Sequence, residues 1–166
     1  MKIVLAPDSF KESMTASVAA AAMARGVRRA APRVECVLMP MADGGEGTTA
    51  ALITALGATP REVVTRDALG RPVTAGYGLT PDGLAVLEVA AAIGIGLIAP
   101  HERDVLHSDS RGVADLVLSA LDAGATRLLV GLGGSATSDG GAGLLAGLGV
   151  RLLDADGDVV EPNPAA

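Results

Sequence analysis

The sequence predicts an α/β protein: a doubly wound, mostly parallel sheet carrying an antiparallel meander that reads as the start of a second lobe. Three observations lead there. Apolar runs of strand length at residues 2–6, 34–39 and 128–130 each empty into a loop of small and acidic residues and then into a helical pattern. Small-residue helices at about 16–31, 46–56 and 113–123 separate the apolar runs. Between them, residues 62–89 change texture to short alternating runs broken by turn residues. Residues 1–57 and 108–166 are therefore read as a Rossmann-like α/β domain, and 58–107 as meander and linker belonging to the second lobe.

Taken in order, the first strand ends at Pro7, which cannot donate to a ladder. The loop Asp8-Ser9-Phe10-Lys11-Glu12-Ser13 follows, and Thr15 is placed to cap the alanine-rich helix. A second strand, bounded by Pro32 and Pro40, runs into Ala42-Asp43-Gly44-Gly45-Glu46-Gly47-Thr48-Thr49, whose helix stops at Gly57. In the meander, Pro81-Asp82-Gly83 reads as a hairpin turn. Glu88, in its last apolar run, reads as paired within the fold. Residues 90–100 fit a short helix or a loop equally, and 101–107 a charged linker. Ser108-Asp109-Ser110-Arg111-Gly112 leads the next helix, which Gly124 ends. Residues 150–160 read as two short strands about a turn at 154–157.

Composition narrows the function. Hydrophobic residues make up 49% of the 166 residues and aromatics 1%, so the core must be built from Ala, Val, Leu and Ile. A net charge of −6 with only Phe10 and Tyr77 as aromatics argues against nucleic acid, which wants basic patches and stacking faces. Cys36 is the lone cysteine, excluding an internal disulfide. The apolar start is too short for a signal peptide and no apolar run approaches the ~18 residues of a membrane span. A soluble, cytoplasmic protein with no membrane partner is expected. Only Lys2 and Lys11 among the 13 basic residues are lysines, which singles out Lys11, in a polar loop, as a compact point charge with a task.

The richest stretch is residues 127–143. A strand opening through Gly131, Gly133, Gly134, Gly140 and Gly141, with Ser135, Thr137, Ser138 and Asp139 interleaved, suits an anion cradle: no Cβ atoms block approach and a helix start follows. A plain tight turn is the alternative. In a parallel sheet ligands lie beyond the strands' carboxyl ends, which places Asp8, Ser9 and Lys11 where chemistry happens. Asp43 and Glu46 among glycines form a second acidic loop able to face a cation or a hydroxyl. Ser110 and Arg111 offer a further anion contact, with a plain N-cap and a solvated arginine equally open.

The loops at 8–13, 42–48 and 133–141 together resemble, in order, the motifs of the bacterial glycerate kinase family, and Ser110-Arg111-Gly112 matches that family's Ser-x-Gly element. Ser138 departs from the pattern, standing where asparagine is common. The resemblance covers the N-terminal half of the family's length. It implies phosphoryl transfer from ATP, with Mg²⁺, to a hydroxyl of D-glycerate. On residue chemistry, Gly133, Gly134, Ser135, Thr137, Gly140 and Gly141 would hold phosphates, Lys11 would neutralise the transferring group, and Ser9, Glu46, Ser110 and Arg111 would contact substrate. Asp8, Asp43 and Asp139 are the candidates for general base, and Asp43 and Asp139 for the Mg²⁺ ligand, unranked among themselves. A chain of this extent is expected to be an incomplete enzyme that leaves apolar surface bare and self-associates. Two other readings stay open: a nucleotide-dependent oxidoreductase using the G-x-G-x-x-A turn at 131–136, and a non-catalytic anion-binding half-protein.

Overall fold

A computed structural model describes residues 1–10 and 13–165; Lys11, Glu12 and Ala166 lie outside the described residues. The chain opens with β1 (Lys2–Leu5), α1 (Ala16–Ala30) and β2 (Glu35–Leu38). The two strands pair in parallel, Lys2 opposite Glu35 through Leu5 opposite Leu38. Thr15 caps α1 as expected, its hydroxyl accepting from Val18 N at 3.3 Å. The face α1 buries is alanine alone, Ala19, Ala20 and Ala24. Next comes α2 (Thr48–Leu56), which ends at Gly57 in the left-handed region, φ 63°, where a residue with a Cβ would be strained.

The second sheet has the order β3 (Thr59–Arg66), β4 (Pro72–Leu79), β5 (Leu84–Glu88) and β6 (Arg127–Gly131). The first three strands form the antiparallel meander, and β6 adds to β5 in parallel. The strand that heads the glycine-rich stretch thus continues the meander's sheet. That sheet runs across residue 107, where the sequence reading places a domain boundary, because β6 finds its parallel partner in β5. The mixed α/β class is as expected, with the strands divided between two sheets.

Side chains explain each turn. Between β3 and β4, Asp67 accepts from Leu69 N and Arg71 N, both at 2.9 Å, and from Arg71 Nε at 2.6 Å. Between β4 and β5, the Thr80 hydroxyl bonds Asp82 at 2.5 Å and Leu84 N at 2.9 Å. The crossover from β5 to β6 holds α3 (Ala90–Ile93), 3-10 turns at Ile95–Leu97 and Pro100–Glu102, and α4 (Arg111–Asp122). The ambiguous stretch 90–100 therefore holds both helix and turn. At the tail, the two expected strands reduce to one bridge, Leu153 with Val159, closing the turn at Asp154.

One core dominates. Tyr77, Leu87, Ile93, Val113 and Leu116 are buried together between the second sheet and α3 and α4. Burying one such Leu or Ile side chain is worth about 1.5–3 kcal/mol. The Tyr77 hydroxyl ends at the α4 backbone, donating to Ser119 O at 3.0 Å. By contrast Val4, Leu38, Met39, Leu128, Leu129 and Leu132 are exposed on β1, β2 and β6 and just beyond them. Among the described residues no helix is long and apolar enough to cross a membrane.

Candidate active site

Because β1 runs parallel to β2, and β5 to β6, the loops that follow all four strands can reach a common rim. Backbone contact brings them together there. Gly133 N donates to Gly44 O at 2.8 Å, joining the loop after β6 to the loop after β2. A Cβ at Gly131 would lie 2.6 Å from Gly44 O, and one at Gly133 2.7 Å from Gly45 N. These two glycines are small because another backbone lies against them. That contact, rather than the approach of a dinucleotide, accounts for the G-x-G part of the G-x-G-x-x-A pattern.

Glu88 ties the same seam from below. Buried at the end of β5, its carboxylate accepts from Gly47 N at 3.1 Å and Thr49 N at 2.7 Å, so it caps α2 from the other sheet. A carboxylate at a helix start also meets the positive end of the helix dipole. The expectation that Glu88 pairs within the fold is met by backbone N–H groups rather than by a cation.

The first loop closes on the second. Ser9, Phe10, Ser13, Met14 and Glu46 with Gly47 line a cavity of about 430 Å³, which Gly96 also borders. Asp8 is exposed and accepts from Ser9 N at 2.6 Å. Asp43 is exposed too, with Oδ1 accepting from Gly45 N at 3.1 Å, which turns the chain toward Glu46. Lys11 lies outside the described residues. Asp8, Ser9, Asp43 and Glu46 thus occupy neighbouring loops on one side of the seam.

Asp139 is engaged quite differently. Its Oδ2 accepts from Ser110 N at 2.8 Å, Ser110 Oγ at 2.7 Å and Gly143 N at 2.9 Å, and its Oδ1 accepts from Gly141 N at 3.2 Å. Burial would push this carboxyl up, but the bonds from Ser110, Gly143 and Gly141 hold it below the usual carboxylate range. Three of these donors crowd Oδ2 and one takes Oδ1, which uses most of the carboxylate's acceptor capacity. The Ser110 hydroxyl then accepts from Leu144 N at 2.9 Å. Together Asp139 and Ser110 fasten α5 (Ala142–Gly147) to the start of α4, and they occupy the N–H groups at the start of α5.

The rest of the glycine-rich loop is partly committed as well. Ala136 N donates to Ile93 O at 2.8 Å, and Thr137 N to Ser135 Oγ at 3.0 Å. The Ser135 and Thr137 hydroxyls bond each other at 2.8 Å. Gly134 and Gly140 are exposed, and Gly134, Gly140 and Gly141 all have positive φ. Arg111 pairs with Glu161 and, at 3.7 Å, with Asp109. The structure therefore gathers Ser9, Asp43, Glu46, Gly133 and Gly134 near one seam, and places Ser110, Asp139, Gly140 and Gly141 together on the α4–α5 side. Sequence reasoning missed the reach of Glu88; a carboxylate inside an apolar strand run was the one available signal.

Comparison with known proteins shows the family to which the chain belongs. The family model described as Glycerate kinase family matches residues 3–166. Glycerate 2-kinase of Escherichia coli K12 is 47% identical over 161 residues, 96% of this chain and 42% of its own length. Glycerate kinase of Bacillus subtilis 168 is 47% identical over 167 residues, 100% of this chain and 44% of its own. The crystal structure of a Salmonella typhimurium LT2 protein assigned as glycerate kinase 2 superposes with a TM-score of 0.76 at 44% identity, covering 98% of this chain and 44% of that one. The chain thus spans less than half the length of the relatives it matches. On the family match and these identities, the chain belongs to the glycerate kinase family.

Proposed function

We propose that this chain supplies part of a site that transfers the γ-phosphoryl group of ATP to a hydroxyl of D-glycerate. The observation that carries the reading is the family match over residues 3–166, and the gathering of the acidic loops beside the glycine-rich loop supports it. Phosphoryl transfer asks a protein for positioning and charge neutralisation more than for covalent help. Asp8 and Asp43, exposed on adjoining loops, are proposed to share two duties: accepting the proton of the glycerate hydroxyl and holding Mg²⁺. The ion commonly takes one or two carboxylates and completes its shell with phosphates and water, which suits Asp43. Bound there, it would neutralise phosphate charge. Among the described residues no cluster of three or more metal-binding side chains forms a cage of its own. Asp139, with both oxygens occupied, is reassigned from base or metal ligand to fastening the loop. Lys11 is proposed to neutralise the transferring group, Ser9 and Glu46 to contact glycerate, and Ser135, Thr137, Gly133, Gly134, Gly140 and Gly141 to border the phosphates.

Calorimetric titration of the chain with ATP–Mg²⁺ and with D-glycerate, alongside a coupled assay for ADP, tests the reading. Binding of both ligands is expected, with ATP binding that requires Mg²⁺ weakened by Asp43→Asn. Failure to bind either ligand would overturn it. The exposed apolar side chains of β1, β2 and β6 support self-association of the chain; a concentration-independent monomer in sedimentation would remove that proposal.

A further inference from the structure

The loop after β6 and the segment leading into α4 face each other across a cavity of about 230 Å³. Ser135, Thr137 and Ser138 line one side, and Arg103, Asp104 and Ser108 the other. Both walls are tied to the fold. Ala136 N donates to Ile93 O and Ile95 N to Gly134 O, each at 2.8 Å. Ser108 is buried, and its hydroxyl bonds the Asp104 carbonyl.

The charges in this cavity are unequal in availability. Asp104 is spent: Oδ1 accepts from Leu106 N at 3.1 Å and His107 N at 3.3 Å, while Oδ2 meets His107 Nδ1 at 2.8 Å. Arg103 is not. Its Nε reaches Ile98 O at 3.4 Å and its Nη2 reaches Ile95 O at 3.5 Å, contacts at the weak limit of hydrogen bonding. Among the described residues it makes no ion pair, whereas Arg66, Arg71, Arg111 and Arg127 each do. An exposed guanidinium held only by its edge keeps donors for an incoming acceptor.

We propose that this cavity is a phosphate subsite, in which the Arg103 guanidinium meets the anion from one side and the Ser138 hydroxyl donates from the other, joined by whichever of the paired Ser135 and Thr137 hydroxyls keeps its proton free. A planar fork suits two oxygens of a phosphate at once. At about 230 Å³ the space falls short of the ~300–1,000 Å³ of whole-ligand pockets, so it takes a phosphate or diphosphate end while the remainder of the ligand lies outside. The source of that phosphate rests on the kinase reading, which makes it the tail of a nucleoside triphosphate. Free phosphate has the same chemistry.

The test titrates the full chain with inorganic phosphate, pyrophosphate and ATP, and repeats each with Arg103→Gln, Arg103→Lys and Ser138→Ala. Arg103→Gln is expected to weaken pyrophosphate and ATP by about tenfold or more, the worth of a charge-assisted hydrogen bond. Arg103→Lys should retain part of the affinity, because charge remains but the fork is lost, and Ser138→Ala should cost a few-fold. Since Arg103 and Ser138 are exposed, thermal midpoints should stay with the parent chain. Unchanged affinity in Arg103→Gln overturns the subsite, and so does a parent chain that binds none of the three compounds. Arg103-dependent binding of phosphate or pyrophosphate without ATP binding upholds the subsite and removes the kinase reading. ATP binding that needs Asp43 and ignores Arg103 does the reverse.

Discussion

The β1–α1–β2 unit and the sheet β3–β6 are built from similarly apolar strands, yet they bury them to different degrees. In β5, Leu87 is 1% exposed in the core with α3 and α4 and Val86 0% exposed on the opposite face, whereas Val4 in β1 is 54% and Leu38 in β2 42% exposed. The first unit relies on one helix whose buried side chains are alanines, and alanine removes little apolar surface from water. The first unit meets the second along a seam: the Gly133 backbone against that of Gly44, and the Glu88 carboxylate on the N–H groups of Gly47 and Thr49. The acidic loops of the proposed site belong to the weakly packed unit, and the glycine-rich loop to the well-packed sheet. Their mutual placement therefore depends on the seam together with α2, whose Ile53 lies against Gly78 of β4.

The contrast can be broken most forcefully in the second sheet. Leu116 is 0% exposed, so Leu116→Ala should cost about 3–4 kcal/mol, read as a lowered midpoint of urea unfolding. An effect under about 1 kcal/mol would mean that this core is not what holds the protein together.

Next in size is the seam. Glu88→Ala strips two N–H groups of their charged acceptor and should cost about 2–3 kcal/mol. Amide exchange should rise first around residues 43–49, while residues 84–87 keep their protection. If exchange rises uniformly, Glu88 supports the whole fold and not this junction. Gly133→Ala attacks the same place, since its Cβ would meet Gly45 N at 2.7 Å and Gly45 Cα at 2.8 Å. Forcing the loops apart should cost about 2 kcal/mol and weaken ATP binding with it; retained affinity would show that the loops need not touch.

A smaller effect is expected from acid. The folded Asp139 carboxyl sits below its ordinary value of 3.8, so the stability it contributes is present above that value and is lost as pH falls through the lower, folded one. Asp67 behaves likewise: burial pushes it up, and the bonds from Arg71 and Leu69 outweigh that and hold it down. Replacing Asp139 with Asn should therefore destabilise the chain at pH 7 by about 1–2 kcal/mol, allowing for its partial exposure, and should flatten the fall in stability below pH 4. An unaltered acid limb of the unfolding profile would show that Asp139 is not a contributor.

Least of all should follow from Leu38→Ser in the first unit. With its side chain already 42% exposed, stability should move by about 0.5 kcal/mol or less while association between copies falls. A loss comparable to that of Leu116→Ala would abolish the contrast between the two regions.

What could be read without a structure lies within a few residues of itself. Thr15 caps α1 because its hydroxyl reaches Val18 N three residues on, and the turn at Pro81-Asp82-Gly83 closes through Thr80 and Leu84. The acidic and glycine-rich loops were visible for the same reason, as runs of contiguous residues. Tertiary structure alone decided which loops meet and which groups remain free. Glu88 acts across 41 and 39 residues on Gly47 and Thr49, and Asp139 across 29 on Ser110. Asp8, Asp43 and Asp139 look equivalent as three acids in polar loops, but packing gives Asp139 four donors and leaves Asp8 and Asp43 exposed. Nor could Arg103 be told from the other ten arginines until the fold set it across a cavity from three hydroxyls. Local sequence specifies caps and turns because their partners are nearby in the chain. Which distant donor satisfies a carboxylate is settled by how the sheets and helices pack.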